Sequence, residues 1–123
     1  MKQRLSDVLA VEFICPTTIA VGDVAIIDDD KEVIKWNAAA SLKRVGTVAT
    51  HKSGATTCVV ETPFRERRDD RVSGAAVAVG PFVWDADMKV IAYDANTHDG
   101  ASIAGVVITA ADEADETVET LEY

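Results

Sequence analysis

The stretch Ala76-Val77-Ala78-Val79-Gly80-Pro81-Phe82-Val83-Trp84-Asp85 decides the fold, because much of its pattern has already passed once along the chain. Ala78-Val79-Gly80 repeats Ala20-Val21-Gly22, 58 residues earlier. Working outward, Val90-Ile91-Ala92-Tyr93 answers Val33-Ile34-Lys35-Trp36, Ala104-Gly105 answers Val45-Gly46, and Val118-Glu119-Thr120 answers Val60-Glu61-Thr62. The offset drifts only between 57 and 59. Four anchors in one order at nearly one displacement define an internal duplication, with copy one at 18–64 and copy two at 76–123. Between them lies a charged joint, 65–75, and ahead of them an N-terminal arm, 1–17. At 123 residues the arm and the two copies make one domain, long enough to bury a sizeable core.

Each copy reads as β. Val24 and Ile26, with their equivalents Phe82 and Trp84, recur at period 2, as do Ile34 and Trp36 with Ile91 and Tyr93. Equal parity places each set on one face, so all eight are expected in a shared core, with Trp36 and Tyr93 at equivalent sites. Asp28-Asp29-Asp30-Lys31 and Asp85-Ala86-Asp87-Met88 have the short polar composition of hairpin turns. Asn37 to Leu42 is too short to be a stable helix, so irregular crossings with at most one helical turn are expected there and at its counterpart 95–100. Strands follow near 44–50 and 103–109, and each copy closes with an edge-like strand at 56–62 or 116–121. The expected class is all-β, a β-barrel-like or β-sandwich domain built from the duplicated unit.

The arm ends at Cys15-Pro16, and the proline interrupts any continuous ladder. Its apolar residues, Val8, Val11, Phe13 and Ile14 among them, are unexpected in a free tail. The run Val8 to Ile14 has the composition of a strand, on this chain or on a neighbour, and the segment is expected to dock on a neighbouring subunit or partner, leaving the fold independent of residues 2–14. The joint carries Arg65, Arg67, Arg68 and Arg71 among three acids. A self-paired solvated loop is one reading of it. A protein contact is the other, because arginine is enriched at interfaces and grips carboxylates with two bonds.

Catalytic chemistry is hard to assemble from these residues. The glycines are isolated, so no phosphate loop is present, and the serines lack a nucleophile-elbow context. His51 and His98 lie far apart in sequence with no cysteine or histidine at ligand spacing, and Asp28-Asp29-Asp30 lacks the alternation and glycine of a calcium loop. Cys15 and Cys58 read as small buried hydrophobes. The expectation is no catalytic residue, no cofactor and no metal site. A β-barrel enzyme with acids of both copies at a subunit boundary ranks last. No stretch approaches the roughly 20 apolar residues of a membrane helix, and Asp7 and Glu12 bracket Val8-Leu9-Ala10-Val11 in a way that argues against a secretory signal.

The formal net charge of −9 is unevenly placed. Copy one is nearly neutral, whereas copy two has ten acids against Lys89 alone. An acidic face repels nucleic acid. The better attachment face is therefore copy one, with Lys31, Lys35, Lys43, Arg44 and Lys52, together with the arginine joint.

The order Ala20-Val21-Gly22-Asp23-Val24, Val45-Gly46-Thr47-Val48-Ala49, Val59-Val60-Glu61-Thr62, then residues 76–85, Ala104-Gly105-Val106-Val107-Ile108 and Glu116-Thr117-Val118-Glu119-Thr120 resembles the small capsid cement, or head decoration, proteins of tailed bacteriophages. The resemblance covers about 18–123. It implies a non-enzymatic structural virion protein, made in the host cytoplasm and bound to the outer surface of the capsid, where it stabilises the mature head. Its partners would be the major capsid protein and its own copies, with a trimer favoured, and neither nucleic acid nor membrane. The alternative is a β binding module of a head fibre or tail-associated protein, holding a partner protein or a glycan.

Overall fold

The computed structural model describes residues 8–123. The protein is all-β. Its strands are β1 (Leu9–Ile14), β2 (Val24–Asp29), β3 (Glu32–Lys35), β4 (Arg44–Thr50), β5 (Thr57–Thr62), β6 (Glu66–Val72), β7 (Gly80–Trp84), β8 (Val90–Ala92), β9 (Gly105–Val107) and β10 (Thr117–Glu122). The first five close into a barrel in the order β1-β3-β2-β4-β5, and the second five form a sheet in the order β6-β10-β9-β7-β8. Strand for strand these are the same cyclic order. Even the closing contact repeats: Ile14 lies parallel to Glu32 in the first unit, and Ser73 bridges Val90 in parallel in the second.

The duplicated residues do the same physical work twice. Lys31 at φ 52° and Met88 at φ 61° turn equivalent hairpins through the left-handed region. Short acid side chains satisfy the turns: Asp29 accepts from the Asp30 amide at 2.8 Å, and Asp85 accepts from the Asp87 and Lys89 amides at 2.8 and 2.9 Å. Gly46 and Gly105 sit where a Cβ would collide with the carbonyl oxygen of Glu61 or Leu121 on the adjacent strand, so only glycine lets these strands approach.

Four expectations need correction. The arm and the joint lie inside the repeat, because β1 and β6 are the first strands of the two units, which therefore run 9–62 and 66–122. Strand β1 pairs along its whole length with β5 of its own chain and buries Val11 and Phe13, so the fold depends on it. Strands β5 and β10 are interior rather than edge strands, each paired on both sides. In β3 and β8 the inward residues are Val33 and Val90, both fully buried, and Trp36 is 45% exposed. Period 2 fixes which residues share a face but not which face is inside. The register Ile27 opposite Val33, with a shift before Asp29 opposite Glu32, turns the smaller valine inward. Phe82 and Trp84 do share an environment, their rings edge to face with centroids 5.1 Å apart.

Between β3 and β4 the segment Ala38–Lys43 forms two short 3-10 stretches broken by a kink at Ala40 (φ −123°, ψ 33°), and Gly100–Ser102 forms another before β9. One core cluster crosses the unit boundary: Val79, Val106, Ile108 and Leu121 join Val11, Phe13, Ile27, Val33, Val48 and Val60. A second, within the other unit, gathers Val77, Phe82, Val90, Val107, Ala111 and Val118. Strand β9 is buried throughout, with Val106 in one cluster and Val107 in the other. It is part of the wall the units share. The unbroken apolar run Val106-Val107-Ile108 is what burial on both faces requires.

Candidate interaction surfaces

Strand β6 carries Arg67, Arg68 and Arg71, with Arg65 just ahead of it, and the three on the strand are already committed. Arg71 donates two bonds of 2.7 Å to Glu122 and lies 4.7 Å over the Trp84 ring. Burial pushes the Glu122 carboxyl up, but Arg71 and the Thr120 hydroxyl, at 2.6 Å, outweigh it and hold the group below its ordinary value. Glu119 is likewise held low against burial by Lys31 at 2.6 Å and Arg67 at 2.9 Å. Lys31 comes from the first unit, so this ion pair also ties the units together. Arg68 forks onto Asp70 at 2.9 and 2.7 Å and keeps that exposed carboxyl low.

For Arg67, Arg68 and Arg71 this arrangement follows the self-paired reading of the joint, and Arg65 alone stays without a carboxylate partner among the described residues. Arg67 and Arg71 brace β6 against β10, and Arg68 serves its own strand. The shift opposite Asp69 and Asp70 is a bulge on a charged edge, a combination that discourages a second strand from pairing there. Val11 and Phe13, only 2% and 1% exposed, are core and unavailable to a partner, whereas Val8 and Ile14 are exposed. Lys31 drops out of the cationic attachment set for the same reason as Arg67. Lys43, Arg44, Lys52 and Arg65 have no carboxylate partner among the described residues.

Three of those four cations surround an aromatic face. Trp36 leaves β3 pointing outward, Leu42 projects from the 3-10 segment at 55% exposure, and Tyr123 follows β10 at 64%. Shallow depressions connect them. One is lined by Leu42, Lys43, Pro81 and Tyr93, another by Leu42, Arg44, Pro63, Ile103 and Tyr123, and a third by Trp36, Ser41 and Arg44. Arg65 meets Tyr123 at the border beside Glu66, the one acid lining the group. Nothing in the 3-10 segment is buried, so the segment displays its side chains rather than anchoring a core. Sequence reading missed this face because Trp36 was assigned to the interior. The available signal was Leu42 in a polar crossing directly before Lys43-Arg44.

The groups most able to do chemistry have structural tasks. His51 Nε2 is 2.8 Å from the Ala55 carbonyl, and His98 Nδ1 is 2.9 Å from the Asp94 amide nitrogen, each within its own turn. Cys15 and Cys58 are buried free thiols. Burial first, then the Cys15 side chain, pushes Cys58 up to about 12, which removes its thiolate at neutral pH. Among the described residues no group of three or more His, Cys, Asp or Glu converges as a metal site. Comparison with family models, curated proteins and solved structures finds no match to this chain.

Proposed function

We propose that the protein is a non-enzymatic structural virion protein that binds the outside of a phage capsid and stabilises the mature head, acting as an oligomer, with a trimer favoured. The sequence resemblance over 18–123 suggests this reading. The observation that carries it furthest is the aromatic, cation-rimmed face around Trp36, Leu42 and Tyr123. A domain with two satisfied cores has no internal need to expose these residues, and large aromatics beside arginine are the composition of protein contacts. Cementing requires interface area rather than turnover, and the barrel and sheet joined by a common core supply a scaffold on which to mount it. The test is occupancy on purified expanded heads lacking the protein. Saturable binding with a raised temperature of head disruption supports the reading, and absence of binding sinks it.

A second reading is a binding module of a head fibre or tail-associated protein. Exposed Trp36 beside an open depression favours it, since flat rings also stack on sugars. Saturable glycan binding lost in Trp36→Ala, with no affinity for heads, would select this alternative.

A further inference from the structure

We infer that the partner of the aromatic face is a second copy of this chain, seated through its acidic Met88 hairpin. The inference rests on the reading of the protein as a self-assembling binder and names the two surfaces that meet. Met88 is the complement in apolar terms: it stands 64% exposed at the tip of the β7–β8 turn, held out by a backbone φ of 61°. Carboxylates surround it. Lys89 joins its turn to Asp115 at 2.6 Å, Gly74 donates to the Val90 carbonyl, and Ser73 accepts from the Asp115 side of the last turn through its own carbonyl. Hydrogen bonds thus bring the 85–89 turn beside the 112–116 turn. Asp87, Asp112 and Glu113 there are exposed and have no cation partner among the described residues.

The two surfaces are complementary in their unpaired charges. One is an exposed methionine beside the unpaired carboxylates of Asp87, Asp112 and Glu113, with Lys89 already engaged by Asp115, and the other a group of depressions around Leu42, Tyr123 and Trp36 that carries the unpaired cations Lys43, Arg44 and Arg65 and a single acid, Glu66. The depression between Leu42, Ile103 and Tyr123 has a volume of about 250 Å³, several times the roughly 30 Å³ share of a water molecule, so it admits a side chain. Methionine against aromatic rings is a favourable, adaptable contact. The net charge of −9 opposes association at long range. Screening within about 8 Å at physiological ionic strength leaves local complementarity to decide at contact. Because the two surfaces differ, the contact is head to tail, and a rotation that closes it makes a ring.

Sedimentation velocity on the full-length protein tests this. The wild type should be larger than a monomer, and its association should weaken as salt rises from about 0.05 to about 0.5 M. Met88→Asn, a residue at ease at positive φ, and Trp36→Ala should each weaken self-association roughly tenfold or more while leaving the circular dichroism unchanged. An Arg44→Glu/Arg65→Glu double variant and an Asp87→Lys/Asp112→Lys/Glu113→Lys triple variant should each fail alone and form mixed assemblies together. A wild type that stays monomeric at every concentration overturns the inference. So does an oligomer that ignores all four variants, since its copies then meet elsewhere. Head occupancy measured in parallel separates the two proposals: a monomer that still coats heads ends this inference alone, and an oligomer that ignores heads ends only the capsid reading.

Discussion

Single residues show most directly why the chain takes this shape. Gly46 and Gly105 occupy the same place in the two units, each facing a carbonyl oxygen that leaves no room for a methyl group. Gly46→Ala and Gly105→Ala should each cost about 3 kcal/mol or more, because backbone rather than a yielding side chain must move. Gly22 at φ 95° faces open space, so Gly22→Ala should cost only the left-handed penalty of about 1–2 kcal/mol. Urea denaturation of the three variants checks this ranking. The Arg71–Glu122 pair makes a pH prediction. A carboxyl held below the ordinary 4.5 contributes stability that is complete above that value and is lost as pH falls through the lower folded value. Unfolding free energy should therefore be level from neutral pH to about 5 and decline below about 4.5. Arg71→Met leaves Glu122 buried without its partner, which raises its folded value and reverses the slope it contributes. Denaturation curves for both proteins between about pH 3.5 and 7 read the difference. An unaltered slope in the variant would show that Glu122 is solvated rather than held.

At the scale of elements, β1 is the strand whose role changes most between sequence and structure. Phe13 is 1% exposed within the first barrel, so Phe13→Ala should destabilise by about 3–5 kcal/mol, and deletion of 9–14 should abolish the folded state. Loss of thermal cooperativity in the deletion is the expected result, and a folded deletion protein would return β1 to the status of an appendage. The sequence shows a strand here but not which chain it pairs with, because Pro16 separates it from the repeat anchors and because Glu12 and Ile14 alternate outward. Its counterpart β6 was hidden altogether. Seven residues of mostly charge do not look like a strand, yet cross-strand ion pairs to Glu119 and Glu122 supply there what Val11 and Phe13 supply in β1. What was legible were the hairpins with their acid turns, the glycine-led strands and the duplication itself, because turn chemistry and backbone approach are local demands. Which face of β3 and β8 turned inward was not legible. That choice is made by the register against β2 and β7, and local periodicity cannot report it. The aromatic face was missed with it, since a Trp36 placed inside leaves Leu42 and Tyr123 looking like isolated exposed residues.

For the whole molecule, the question is whether duplication made two domains or one. The larger core cluster draws residues from both units, Lys31 pairs with Glu119 across them, and the Asp30 side chain accepts from the Ala110 amide at 2.7 Å. Phe64, at the single covalent crossing, is itself buried and stacks on Tyr123 with centroids 4.7 Å apart. Each unit alone would expose the wall it now shares. Strands β9 and β10 would lose the cover over Val106, Ile108 and Leu121, and the first barrel would lose the apolar surface that completes its cluster. A chain of about 60 residues buries too small a fraction of its surface to absorb such a loss. Fragments ending at Pro63 and beginning at Phe64 should therefore be largely unfolded when separate and regain strand signal when mixed. The intact chain should unfold in one step, with tryptophan fluorescence and far-UV circular dichroism superimposing along the denaturant axis even though Trp36 and Trp84 lie in different units. Two separated transitions, or a stable isolated half, would mean that the shared wall is a docking contact between independent units. The molecule would then be hinged, and a hinged body is poorly suited to hold fixed surfaces at the spacing the proposed ring of copies requires.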